Sequence, residues 1–140
     1  MRREILIGAV SFIIIAIVAI IVYLFFFGSP SAEITSATTD RNLYHSGEIM
    51  TITVSLSASG QMDNTTIRLE GIEDRRGKAH LTHDIPVNLS WGPNTFFYDY
   101  ALPHCSSCAG ILPGDYDILV TLEKDSEILD TANLTVTLEQ

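Results

Sequence analysis

An all-β protein, one antiparallel sandwich preceded by a single transmembrane α-helix, is the fold that this 140-residue sequence predicts. Three observations predict it. Residues 5–27 form an unbroken apolar run of 23 residues. The rest alternates apolar and polar side chains with a period of two, and turn-forming residues fall between the alternating runs at strand-like spacing. No segment after residue 28 carries the helical pattern that the crossovers of a parallel sheet require.

The chain opens with Met1-Arg2-Arg3-Glu4, read as a cytoplasmic stub over residues 1–4. The apolar run that follows would be about 34 Å long as a helix, against a hydrocarbon core of about 30 Å. A cleavable signal peptide competes with this reading, but its apolar core has only about 7–15 residues. The candidate cleavage site around Ser29-Pro30-Ser31-Ala32 also carries a proline. The arginine pair predicts a cytoplasmic N-terminus and sends all that follows across the membrane. The expectation is a signal-anchor helix over 5–27 in the plasma membrane, with the lipid bilayer as its first partner. Gly8, Ser11, Ala16 and Ala19 would let a second helix approach, although no GxxxG pair is present. Gly28-Ser29-Pro30-Ser31 ends the helix, so residues 28–32 read as a linker and 33–140 as one ectodomain.

An opening strand is expected near Glu33 to Thr38. Met50, Ile52, Val54 and Leu56 then alternate with Thr51, Thr53 and Ser55, giving one core face and one wet face. The alternation returns in Ile85, Val87, Leu89 and Trp91, in Tyr116, Ile118, Val120 and Leu122, and in Ala132, Leu134, Val136 and Leu138. Ile67-Leu69 and Phe96-Tyr98-Tyr100 complete about seven strands. Turn signals separate them at His45-Ser46-Gly47, Ser59-Gly60, Arg76-Gly77, Trp91-Gly92-Pro93-Asn94, Pro113-Gly114 and Lys124-Asp125-Ser126. The formal charge is −9, and Arg2, Arg3 and Glu4 contribute +1, which leaves −10 beyond the apolar run. Such a surface repels nucleic acid and anionic lipid and favours a basic partner.

The segment Leu112-Pro113-Gly114-Asp115-Tyr116-Asp117-Ile118, followed by a strand, a polar turn and a last strand, resembles the closing hairpin of immunoglobulin-like and adhesion-type cell-surface domains. The resemblance implies an immunoglobulin-like antiparallel β-sandwich in which Tyr116 returns its hydroxyl to the backbone upstream, as a tyrosine corner. It implies a structural or protein-binding module, alone or as an accessory subunit of a membrane assembly. The inter-sheet Cys…Trp…Cys spacing of antibody domains is absent from the sequence.

Three N-x-S/T sequons, at Asn64, Asn88 and Asn133, make the protein a candidate glycoprotein. The only other local chemistry is His104-Cys105-Ser106-Ser107-Cys108, in the crossover before Tyr116, which holds both cysteines of the chain. Outside the cytoplasm a lone pair predicts a disulfide between Cys105 and Cys108, stabilising so small a ring by about 2 kcal/mol. A thioredoxin-like pair lacks the required helix N-terminus, and haem attachment places its His after the second Cys. Zinc or copper is the sharper alternative. A hairpin at Trp91 to Asn94 would bring His80 opposite Cys105, so that His80, His83, His104, Cys105 and Cys108 form a possible ligand pool, although His80 and His83 face opposite sides of a strand.

The sequence carries no Gly-rich phosphate loop, H-E-x-x-H, nucleophile elbow or EF-hand spacing, and predicts no enzyme and no cofactor beyond that metal. Asp115-x-Asp117 offers a calcium reading, against the plainer one of a wet turn. A protein partner is expected at apolar residues out of phase with the core: Phe97, Leu119 and, in the crossover, Ile111 and Leu112. A second function class is a filament subunit. The order of basic leader, apolar helix and β head resembles prokaryotic pilin-like proteins, with processing after Gly8, but Ile5-Leu6-Ile7 separate that glycine from the arginines.

Overall fold

The computed structural model describes residues 13–23, 28–104 and 110–139. Residues 13–23 are helical, about 16 Å of helix, and among the described residues no helix is long and apolar enough to cross a membrane. The remaining positions of the expected span, 5–12 and 24–27, lie outside the described residues.

Eight strands follow: β1 (Ala32–Thr39), β2 (Leu43–His45), β3 (Ile49–Ala58), β4 (Met62–Glu73), β5 (Ala79–Leu89), β6 (Gly92–Ala101), β7 (Gly114–Lys124) and β8 (Glu127–Glu139). They form two sheets, ordered β1-β3-β6 and β2-β8-β7-β4-β5. All pairs are antiparallel except β2 with β8, so the expectation of about seven wholly antiparallel strands needs correcting. Leu43–His45 is too short to show a period. It gains strand form only by lying along Thr137 to Glu139.

The inward phase of each strand supplies the core. Ile52, Val54 and Leu56 of β3 and Ile67 and Leu69 of β4 are at most 2% exposed, as are Ile118, Val120 and Leu122 of β7 and Val136 and Leu138 of β8. Burying each such side chain stabilises by about 1.5–3 kcal/mol. In β4 the phase changes at its end, where Gly71 and Ile72 are both buried. Ile72 takes φ 54°, a left-handed conformation that a β-branched residue adopts at a cost of about 1–3 kcal/mol, and is fully buried. Gly71 lies so close to β7 that a Cβ would meet the Asp117 carbonyl oxygen at 2.4 Å.

Two expectations fail at the connection from β5 to β6. These strands form no hairpin: β5 pairs with β4, β6 pairs with β3, and the chain crosses between the sheets. The Asn94 amide ties the crossing turn, accepting from Ser90 N (3.0 Å) and donating to Ser90 O (2.8 Å) and Gly92 O (2.9 Å). Gly92 turns the chain with φ 91°. Trp91, expected on the core phase, therefore stands at the tip of the turn and is 81% exposed. The sheet register on which His80 faced Cys105 does not exist.

Candidate interaction site at the crossover end

The connection from β6 to β7 is fixed at both ends by neighbouring turns. On the outgoing side, Leu102 is buried and its N–H donates to Glu48 O at 2.9 Å. The His104 ring lies over Gly47, where a Cβ would stand 2.8 Å from Cε1 and where φ is 79°. Residues 105–109 lie outside the described residues, and with them Cys105, Cys108, their disulfide and their metal alternative. On the return, the Arg75 N–H donates to Gly110 O at 3.2 Å. Ile111, expected at an interface, is fully buried, because the returning chain inserts it into the core.

The Tyr116 hydroxyl donates to Leu112 O at 2.7 Å and accepts from Leu112 N at 3.0 Å. Tyr116 thus bridges back four residues from the start of β7 to the last residues of the crossover. This is the geometry of a tyrosine corner.

The turn from β4 to β5 supports this end from below. Asp74 Oδ1 accepts from the N–H groups of Arg76 (2.8 Å) and Lys78 (3.1 Å), and Oδ2 lies 3.4 Å from His80 Nε2. The backbone donors of Lys78 and then Arg76, with the His80 contact, hold the Asp74 carboxyl below its ordinary range.

Sequence reasoning missed a second tyrosine. Tyr44 is fully buried. Its hydroxyl donates to Asp40 Oδ1 at 2.6 Å and accepts from Arg41 N at 3.0 Å, and Thr51 N donates to the same Asp40 oxygen at 2.9 Å. These donors lower the Asp40 pKa, with Tyr44 the largest cause and Thr51 next. Burial, then the bond to Asp40, raises that of Tyr44. The Arg41 guanidinium lies 4.8 Å over the Tyr44 ring and pairs with Asp40 (3.2 Å) and Glu48 (3.3 Å). Glu48 accepts from His45 N at 2.8 Å, which with Arg41 lowers its own pKa. The signal was the run Asp40-Arg41-Asn42-Leu43-Tyr44-His45-Ser46-Gly47-Glu48, in which a tyrosine stands three residues before a turn glycine.

The other expected site residues do not come together. His83 stacks on Tyr98 across the two sheet edges, with centroids 4.4 Å apart and planes 18° apart. His80 pairs with Asp74 and His104 covers Gly47. Among the described residues no group of three or more His, Cys, Asp or Glu side chains is placed to hold a metal ion. Phe97 is 71% exposed on the outer face of the three-stranded sheet, whereas Leu119 is 39% exposed on the outer face of the other. Leu112 is 40% exposed at the crossover. The interface candidates therefore lie on separate surfaces.

Leu119 borders a groove of about 350 Å³ lined by Glu70, Glu73, Asp115, Asp117 and Asn133. Asp115 and Asp117 accept from the hydroxyls of Thr137 (2.6 Å) and Thr135 (2.7 Å). Asn64, Asn88 and Asn133 are all exposed, and Asn64 takes φ 57° at a bulge in β4.

Fold and surface thus define a β-sandwich domain with a braced crossover end. No protein-family model and no curated protein matches the chain. Among solved structures it is similar to the CARDB domain of a Pyrococcus furiosus protein, with a TM-score of 0.51 and 12% identity over 78% of this chain and 93% of that one. It is also similar to part of the alkylpurine DNA glycosylase AlkC of Pseudomonas fluorescens, with a TM-score of 0.58 and 11% identity over 79% of this chain. A cycloisomaltooligosaccharide glucanotransferase of Paenibacillus gives a TM-score of 0.58 and 15% identity, again over 79%. The chain spans 31% of the glycosylase and 14% of the glucanotransferase. At these identities the likeness is one of fold.

Proposed function

We propose that the chain is a non-catalytic, membrane-anchored surface protein whose immunoglobulin-like sandwich presents its crossover end to a protein partner. The helical residues 13–23 carry the proposal. The large apolar side chains Ile13, Ile14, Ile15, Ile17, Val18, Ile20, Ile21, Val22 and Tyr23 are 47–66% exposed around the helix. A helix that is apolar all round is stable inside lipid or a protein core, and in water each such side chain forgoes about 1.5–3 kcal/mol. The Arg2-Arg3 pair supports a cytoplasmic N-terminus and an extracytoplasmic sandwich.

The register sets which end of the sandwich lies farther from the linker. The linker enters at Ala32 beside Ala58, while the crossover leaves Ala101 beside Ile49, at the opposite end of β3. Those ends are about 30 Å apart at strand rise, so the braced end points away from the bilayer. The acidic charge of the Glu70–Asp117 groove suits a basic protein partner and disfavours nucleic acid. The exposed sequons are available for glycans, and a Cys105–Cys108 disulfide would further fix the crossover.

Membrane preparations from cells expressing the full chain test the proposal. The protein is expected to stay in the pellet after alkaline washing and to lose its sandwich to protease added outside intact cells. Release by the wash, or protection until lysis, would contradict it.

A further inference from the structure

At the end of the sandwich where the linker arrives, Trp91 is 81% exposed and Ile128 61% exposed. Both belong to turns at this end: Trp91 to the crossing from β5 to β6, Ile128 to the start of β8 after the Asp125-Ser126 turn. Trp91 borders the main feature of this end, and Ile128 faces outward from β8 next to Leu129. A cleft of about 630 Å³ is lined by Trp91, Gly92, Leu129 and Asp130 together with Ser31 and Ala32 of the arriving chain. Ala32 and Gly92 flank Ala58 in the three-stranded sheet, roughly 10 Å apart at ordinary strand spacing.

Four residues, 28–31, separate the apolar run from β1, and four residues reach at most about 14 Å. Given the anchor reading on which this rests, the Trp91 end of the domain is confined to the headgroup layer. Tryptophan is the side chain that settles there, its ring in the apolar boundary and its N–H toward water. We infer that Trp91, with Ile128 exposed at the same end, docks the sandwich onto the bilayer interface and so fixes the domain's tilt on its tether.

Charge does not drive this contact. Glu33, Asp63, Asp125 and Glu127 are exposed at the same end, with Lys124 the one nearby base on these turns. The docking is therefore apolar, made effective by the tether, which converts it into an intramolecular event. It weakens as anionic lipid is added. The crossover, at the other end of the strands, stays clear of the membrane.

Trp91 is the only tryptophan of the chain, so intrinsic fluorescence reports this contact alone. The full chain would be reconstituted in phosphatidylcholine vesicles, with and without bromine on the acyl chains near the headgroup. Co-flotation with the vesicles, emission reduced roughly twofold by the brominated lipid, and poor access to acrylamide are expected for a ring at the interface. Ile128→Asp is expected to reduce the quenching without affecting flotation, since Ile128 lies outside the core. Co-flotation with emission insensitive to brominated lipid and open to acrylamide would overturn the docking while leaving the anchor in place. Protection from acrylamide without lipid quenching would also overturn it, and would assign Trp91 to a second copy or another protein. A chain that fails to float would remove the anchor itself.

Discussion

Tyr116 and Tyr44 each hold a bend of the chain by one hydroxyl that both donates and accepts, but in different surroundings. Tyr116 joins both polar groups of Leu112 near the surface. Tyr44 is fully buried and joins Arg41 N to Asp40, which also receives Thr51 N. Tyr116→Phe is expected to destabilise by about 1 kcal/mol, because water can replace the lost partners. Tyr44→Phe is expected to cost about 1–3 kcal/mol, because the remaining groups are enclosed. Urea unfolding of the two variants measures the difference, and an equal or reversed order would refute the assignment of roles. Tyr116 was legible because a Pro-Gly turn precedes it and a long period-two run follows. Tyr44 was marked only by its place three residues before Gly47, since a three-residue strand carries no period and its burial depends on packing from distant strands. Ile111 was misread for the same reason: a loop residue has no phase from which to infer its side.

Among the elements, β4 and β7 meet at Gly71, where a Cβ would fall 2.4 Å from a backbone oxygen and 2.9 Å from Ile118 Cα. Gly71→Ala is expected to force the two strands apart and to cost about 1–3 kcal/mol. Gly77, with φ 75° in the open turn after β4, has nothing within 4 Å of its would-be Cβ. There alanine meets only the left-handed backbone penalty of about 1–2 kcal/mol, with no effect on neighbours. Amide exchange separates the two variants: Gly71→Ala should raise exchange across β4 and β7, and Gly77→Ala only at its turn. Equal, local effects would contradict the close approach.

Strand identities were legible because each long strand alternates over many residues. Sheet membership was not. Ser90-Trp91-Gly92 has the composition of a hairpin turn, yet whether the next strand joins its predecessor or crosses to the other sheet is decided by which edge remains unpaired. That edge belongs to β3, far away in sequence. The misplaced hairpin removes the register that aligned His80 with Cys105, while both cysteines lie outside the described residues.

At the scale of the whole molecule, acid should weaken the crossover end before the core. Asp40, Glu48, Asp74 and Asp84 all have lowered pKa values, the last chiefly through Arg68. A carboxylate whose folded pKa is depressed stabilises the fold above its unfolded pKa. That stabilisation is lost as pH falls through the lower folded value. The loss therefore begins below the ordinary carboxylate values, 3.8 for Asp and 4.5 for Glu. Thermal unfolding is expected to be nearly flat in pH above that window and to fall steeply below it, with a shallower fall in Asp74→Asn. A variant that follows the parent's acid slope would show that Asp74 contributes nothing.

The central claim concerns the whole chain: a retained apolar helix in the bilayer holding an acidic sandwich outside it. The apolar run was legible from hydropathy alone, and at residues 13–23 it is a helix with exposed apolar side chains. The most direct test is the intact mass, under non-reducing conditions, of the protein extracted from alkali-washed native membranes. The account predicts a species that retains the apolar segment, two mass units lighter than the reduced chain if Cys105 and Cys108 are joined, plus any glycans. A species beginning near Ala9 would contradict a retained anchor and favour a processed filament subunit, and one beginning after residue 28 would contradict anchoring by this helix altogether.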